Sequence, residues 1–120
     1  MMTASITIGV LCRHAPYSSL VAQESLDAAL AAAAYGQVVT LIFMDEGIWQ
    51  LVKQQQVSGR KSLEKQLASI DLYDIAQVLV CARSLEIRGL TIDDLAIDVT
   101  LADTTTISDT LRQQIQLMSF

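Results

Sequence analysis

The sequence predicts an α/β fold, a small three-layer sandwich with a mostly parallel central sheet, and three observations support this class. Residues 6–11 and 38–44 are short, almost wholly apolar runs, as is typical of strands buried on both faces. A segment of helical length separates them, and strand–helix–strand units of this kind nearly always have parallel strands. Residues 76–81 supply a third apolar strand with a short helical segment behind it. We therefore expect helices packed on the faces of one sheet.

Residues that start and stop helices define the elements of the first half of the chain. Pro16 disfavours helix at the residue before it, and Ser18 or Ser19 can cap the helix that follows. Gly36 marks the end of that helix, just before the second strand. Beyond the second strand we expect a helical turn at residues 48–52, a loop at 54–59 and an amphipathic helix at 60–70, where apolar residues recur at helical spacing.

The second half of the chain predicts four further elements after the third strand. Residues 82–88 favour a short helix that Gly89 ends. The others are a short fourth strand at 96–99, a helix at 103–111 capped by Asp103 or Thr104, and a final strand within 113–120 with alternating Ile115 and Leu117.

The composition indicates one globular domain that associates with other chains. The 120 residues suit a single domain with one core, spanning 1–120. Hydrophobic residues make up 52% and charged residues only 18%, so apolar surface should remain after the core is filled, and a subunit interface is its expected outlet. A net charge of -5 argues against direct binding of a nucleic-acid backbone, which normally needs a basic face.

Cysteine usage and the apolar pattern indicate a cytoplasmic, reducing location. Cys12 and Cys81 are the only cysteines, too few for a disulfide framework. The first residues lack the charged start and cleavage pattern of a signal peptide. No apolar run reaches the roughly 18 residues that a membrane span needs. We expect both cysteines to remain thiols and the chain to avoid membranes.

One edge of the predicted sheet collects the candidate chemistry. In parallel sheets, sites lie beyond the carboxyl ends of the strands, where residues 12–16, 45–47 and those from Cys81 onward should meet. Cys81 leaves a buried strand and faces a helix start, where backbone N–H groups favour the reactive thiolate. The alternative is an inert packed thiol, because free cysteine is among the most buried residue types. For Cys12, core packing is the favoured interpretation.

The remaining residues of this edge favour structural roles. His14 is the single histidine and has no partner pattern for a triad or metal site, so a turn or interface role is favoured. Asp45 and Glu46 are expected to cap the next helix. Trp49 is a candidate subunit contact, with core packing as the alternative. Motifs for zinc, phosphate and dinucleotide binding are missing from the sequence, so we expect no cofactor and no metal.

Five pieces of the sequence carry a resemblance to a known family. In consistent order along nearly the full length, they are RHAP at 13–16, QESLDA at 23–28, FMDEGIWQL at 43–51, DLYDI at 71–75 and CARSLEIRGL at 81–90. The last three of these pieces are the specific ones. With these pieces the chain resembles the TusC/DsrF family, the middle subunits of the TusBCD and DsrEFH sulfur-relay complexes. Residues 98–120 match more loosely.

The resemblance implies a fold, partners and a role. The fold would be DsrE-like, and the chain would join TusB/DsrH-like and TusD/DsrE-like subunits in a heterohexamer, a dimer of heterotrimers. The complex would relay persulfide sulfur to a TusE/DsrC-like acceptor, toward 2-thiolation of wobble uridine in transfer RNA or, in the Dsr branch, toward sulfur oxidation. The established carrier cysteine belongs to the TusD/DsrE-type subunit, whose Cys and Gly eight residues apart are echoed here by Cys81 and Gly89.

Three functional interpretations therefore remain open. The first is an assembly and positioning subunit, with His14, Trp49 and Tyr73 as interface candidates. The second is a sulfurtransferase in its own right that uses Cys81 as persulfide carrier in a homo-oligomer. The third is a small-ligand-binding module with its pocket at the carboxyl ends of the strands.

Overall fold

Five strands form one sheet at the centre of the structure, a computed structural model that describes residues 6–15, 21–53, 70, 73 and 75–120. Their order across the sheet is β4-β3-β2-β1-β5, and all four neighbouring pairs run parallel. The predicted α/β class is thereby confirmed. The strands are β1 (Thr7–Cys12), β2 (Val38–Phe43), β3 (Gln77–Cys81), β4 (Thr100–Ala102) and β5 (Gln116–Ser119).

The helices that connect these strands end where the sequence indicates. They are α1 (Val21–Ala34), α2 (Ala82–Ile87) and α3 (Thr104–Arg112), with two 3-10 segments at Asp45–Leu51 and Ile92–Asp94. Gly36 follows α1 with φ 84° and Gly89 follows α2 with φ 69°, the left-handed conformation in which glycine ends helices at little steric cost. Both predicted helix stops are confirmed.

Helix α3 has the predicted cap. The Asp103 carboxylate accepts a hydrogen bond from the N–H of Thr106 at 2.7 Å, which satisfies one of the free donors of the first turn. Hydrogen bonds to Thr106 lower the pKa of Asp103 below its usual value, because they favour the charged form. The cap thus fixes the start of α3, and Ile107 anchors the helix on the sheet.

Side chains of the sheet alternate between two apolar layers. On one face Val10, Leu41 and Val80 pack with Leu26 and other α1 residues in the larger cluster. On the other face Leu11, Ile42, Leu79 and Cys81 pack with Ile107 of α3. The period of two along each strand therefore places helices on both faces, as the three-layer prediction requires.

The fourth strand lies further along the chain than predicted. Residues 96–99 are not a strand, and β4 begins at Thr100. The preceding backbone pairs elsewhere: Ala96 donates its N–H to the carbonyl of Leu51 at 2.7 Å, and Lys53 donates to that of Asp94 at 3.0 Å. Leu95 also forms an antiparallel bridge with Val52. These contacts hold the apolar segment away from β3, so the strand starts only after it.

The final strand is present as an edge strand. Its core is Gln116–Ser119, inside the predicted range, but Ile115 and Leu117 are exposed rather than packed. The proposed caps Ser18 and Ser19, the loop at 54–59 and the helix at 60–70 fall outside the described residues, apart from the buried Ile70. No helix in the described part of the chain is long and apolar enough to cross a membrane.

Candidate functional site

The three segments that the sequence places at one edge do meet in the structure. β1, β2 and β3 are parallel neighbours, with Cys12 opposite Phe43 and Phe43 opposite Val80. The residues that follow these strands therefore lie side by side at the carboxyl edge of the sheet. We call residues 13–14, 45–50 and 84–88 at this edge the rim.

The first two rim segments touch through their backbones. Met44 donates its N–H to the carbonyl of Cys12 at 3.1 Å. A Cβ atom on Gly47 would collide with the same carbonyl, so only glycine allows the 3-10 segment to approach this closely. The Gln50 side chain adds a second tie, because its Nε2 donates to the carbonyl of His14 at 2.8 Å. The loop after β1 and the 3-10 segment thus form one unit.

Two ion pairs and a serine connect the rim further. Arg13 Nε lies 3.1 Å from Asp45 Oδ2, and Arg88 Nη2 lies 2.7 Å from Glu46 Oε1. Ser84 Oγ accepts the N–H of Asp45 at 3.0 Å, which joins α2 to the 3-10 segment. Asp45 has φ 52°, a conformation uncommon for residues other than glycine, and these contacts hold it there.

The expected capping role of Asp45 and Glu46 is wrong. The N-cap position of the 3-10 segment is Met44, and no side chain caps it. Both carboxylates instead reach across to arginines of other segments, since Arg13 and Arg88 come within ion-pair distance only in the folded chain. The sequence showed that the two carboxylates are neighbours, but it did not show that Arg13 and Arg88 are their partners.

Cys81 is placed as predicted at the end of β3, directly before α2, yet its thiol is closed off. It is only 4% exposed and packs among apolar side chains of the α3 face, including Ile42, Leu79 and Ile107. Near this strand end, Arg88 donates its Nη atoms to Glu46 and to the carbonyl of Ser84. The site holds a cysteine beneath an ordered polar surface.

Cys12 is a core residue, as expected. It is fully buried on the α1 face, where its thiol lies 3.5 Å from Ser25 Oγ. Burial raises the pKa of Cys12 to about 12, because removing the thiolate from water costs more than the bond to Ser25 returns. This thiol is therefore protonated at physiological pH and unreactive.

The three interface candidates do not lie together. The His14 side chain is exposed on the rim, and Trp49 is half-buried in the neighbouring 3-10 segment. Tyr73 is 42% exposed but precedes β3, so it belongs to the amino edge of the sheet. Their assignment to subunit contacts stays a prediction.

Sequence reasoning missed Gln50 and Ser84 as rim residues. Gln50 is 2% exposed, and its Oε1 has no hydrogen-bond partner among the described residues, nor has the buried Nε of Arg88. A buried polar atom without a partner costs about 1–3 kcal/mol. In the sequence, the only indication of a role for Gln50 was its place between the apolar residues Trp49 and Leu51. No group of three or more potential metal ligands occurs within the described ranges.

Comparison with known proteins then places the chain. The family model described as the DsrE/DsrF-like family matches residues 7–120. The chain belongs to the DsrE/DsrF-like family. Among curated relatives, a "Protein TusC homolog" of Vibrio vulnificus YJ016 is 41% identical over 92% of this chain and 95% of its own length. The "Intracellular sulfur oxidation protein DsrF" of Allochromatium vinosum is 38% identical over 71% of this chain and 64% of its own.

Solved structures support the DsrE/DsrF-like fold. The ychN protein of E. coli superposes with a TM-score of 0.85, covering 98% of this chain and all of that one at 16% identity. The protein of unknown function MTH1491 from Methanobacterium thermoautotrophicum gives a TM-score of 0.71 at 11% identity, covering 97% of this chain and all of its own. At these identities the likeness establishes the fold alone. The predicted resemblance and fold class are both confirmed.

Proposed function

We propose that this chain is a TusC/DsrF-type subunit of a sulfur-relay complex, and that it mainly assembles with and positions the subunit that carries the sulfur. The TusC and DsrF relatives support the sulfur-relay setting. A single structural observation supports the positioning role: neither thiol is presented to solvent. A persulfide carrier must offer a thiolate to its donor, whereas Cys81 lies within the α3-face cluster and Cys12 within the core.

The rim supports a role in contact with another protein. Backbone hydrogen bonds, two ion pairs and the hydrogen bond between Ser84 and Asp45 order this surface. An ordered surface loses little conformational entropy on binding. His14 is exposed there, and Trp49 is half-buried on the neighbouring segment.

The proposed partners follow from the TusC/DsrF assignment. They are TusB/DsrH-like and TusD/DsrE-like subunits in a heterohexamer, with a TusE/DsrC-like protein as sulfur acceptor. The complex acts in the cytoplasm, without direct contact to nucleic acid or membrane, and serves 2-thiolation of wobble uridine in transfer RNA. A DsrF-type role in sulfur oxidation is the alternative pathway, and mass spectrometry of tRNA nucleosides from a deletion strain distinguishes the two.

The rival proposal makes Cys81 the carrier. Its thiolate would attack the outer sulfur of a donor persulfide, the donor's S–S bond would break, and the donor would leave as thiolate while Cys81 became the persulfide. The position of Cys81 at the end of β3, directly before α2, favours this alternative. It requires α2 or α3 to move, because the thiol is enclosed.

The deciding experiment uses the assembled complex. The tagged chain is purified from its native cell and weighed by native mass spectrometry, and two different companions in equal copies are expected. Sulfur transfer from a persulfidated donor to the acceptor is then compared for wild type, Cys81→Ser and, as a buried control, Cys12→Ser. Transfer that persists in Cys81→Ser supports the positioning role. A homo-oligomer whose transfer stops only in Cys81→Ser would overturn it.

A further inference from the structure

The amino edge of the sheet contains a fork between β3 and β4. β3 pairs with β2 from Gln77 onward, but with β4 only from Leu79, which lies opposite Thr100. Among the described residues, Gln77 and Val78 therefore have no partner strand on their β4 side. The fork lies at the opposite end of the strands from the rim, and it is independent of the proposed function.

The fork is held open by contacts on its outer side. The backbone of residues 94–96 pairs with residues 51–53, through the bonds from Ala96 to Leu51 and from Lys53 to Asp94 and the bridge between Val52 and Leu95. Lys53 Nζ adds a bond to the carbonyl of Asp93 at 2.8 Å. Residues 97–99, which alternate apolar and polar as a strand would, are thereby prevented from joining β3.

The space between the diverging segments is a cleft of about 550 Å³. This volume lies within the range of ligand sites, roughly 300–1,000 Å³. Asp98 is exposed and is the one charged residue among the described residues that line the cleft. The walls include Ile75, Gln77, Val78, Ile97, Asp98 and Val99.

We propose that this cleft binds an extended peptide segment that carries a basic side chain. An inserted strand would run along β3 at the usual spacing of about 4.8 Å and hydrogen-bond to the free edge at Gln77, which is the β-augmentation mode of peptide recognition. Its apolar side chains would contact Val78 and Val99. Its Lys or Arg would meet the Asp98 carboxylate, which has no cation beside it among the cleft-lining residues described.

The test is a titration of the full ¹⁵N-labelled chain followed by NMR. The probe is an acetylated and amidated pentapeptide, Thr-Val-Lys-Val-Thr, and the matched control has Glu in place of Lys. Shifts of the amides of Gln77, Val78 and residues 97–100 are expected with the Lys peptide, and weaker binding with the Glu peptide. Shifts confined to other parts of the chain, or equal binding of both peptides, would overturn the proposal.

Two further comparisons separate charge from backbone pairing. Asp98→Asn is expected to weaken binding of the Lys peptide about threefold, whereas Glu24→Gln, an equal charge change on the exposed side of α1, leaves it unchanged. A Lys peptide with N-methylated backbone keeps its charge but loses the donors needed for strand addition, so its binding should be lost. If it binds as well as the parent peptide, insertion as a strand is wrong.

Discussion

The two cysteines show that burial, rather than position along a strand, decides what a thiol can do here. Cys12 and Cys81 both end apolar strands at the same edge of the sheet. Alternation sends Cys12 to the α1 face and Cys81 to the α3 face, and both become enclosed. The position of Cys81 before a helix was predictable from sequence, but its cover was not, because that cover comes from α3, more than 20 residues further along.

The raised pKa of Cys12 predicts a loss of stability at alkaline pH. The folded pKa of about 12 lies above the unfolded value near 9, so the unfolded state binds fewer protons between these values and stability falls as pH rises. The fall approaches about 1.4 kcal/mol per pH unit above pH 9. Urea denaturation of wild type and Cys12→Ala from pH 8 to 11 measures it, because alanine does not titrate. A constant difference between the two proteins would contradict the burial of an ionisable thiol.

The two rim ion pairs should differ in strength because they differ in burial. Arg88 is 16% exposed at its side chain, whereas Arg13 and Asp45 are both about half exposed. Double-mutant cycles with Glu46→Gln and Arg88→Gln should give a coupling energy of about 1 kcal/mol, against less than about 0.5 kcal/mol for Arg13→Gln with Asp45→Asn. Chemical denaturation supplies the free energies. Equal couplings would mean that burial of Arg88 adds nothing.

At the scale of elements, local patterns predicted β1, β2, β3 and β5 but placed the fourth strand wrongly. The predicted bounds of β1 to β3 agree with the structure to within one residue at each end. A continuous apolar run can be recognised from neighbouring residues alone, which is why these strands were predictable. The fourth strand was misplaced because residues 94–96 pair with residues 51–53, more than 40 positions earlier. A single sequence does not show such pairing. The same limit explains why the partners of Asp45 and Glu46 were missed.

The 3-10 segment depends on one glycine, and this can be tested. Gly47→Ala would push a methyl group into the carbonyl of Cys12, where the backbone of Cys12 and Arg13 leaves no room. We expect a loss of about 2–3 kcal/mol. Gly89→Ala is the control: its φ of 69° is unfavourable for alanine, but nothing lies within 4 Å of the added atom, so a loss of about 1 kcal/mol is expected. Urea denaturation measures both, and a larger loss for Gly89→Ala would refute the close approach.

At the scale of the whole molecule, the sheet presents two edges with different character. The carboxyl edge is the rim, a polar surface near the two buried thiols. The meeting of its three segments could be predicted, because the carboxyl ends of parallel strands lie at the same edge of a sheet. The amino edge holds the open fork, which the sequence did not suggest. The composition predicted surplus apolar surface, and Ile87, Ile115 and Leu117 are exposed in agreement with it.

If the rim is the contact surface, His14→Ala should weaken assembly without weakening the fold. The His14 side chain is exposed, and among the described residues it is the backbone carbonyl of His14 that accepts a hydrogen bond, from Gln50, so removal of the side chain should leave the melting temperature unchanged. Loss of an interface anchor should weaken binding of the companion subunits about tenfold. Tyr35→Ala is the control, because Tyr35 is an exposed ring at the opposite edge, just before β2. Calorimetric titration measures both variants. Weakened assembly in Tyr35→Ala alone would place the contact at the amino edge, where Tyr73 lies, and would remove the rim from the interface.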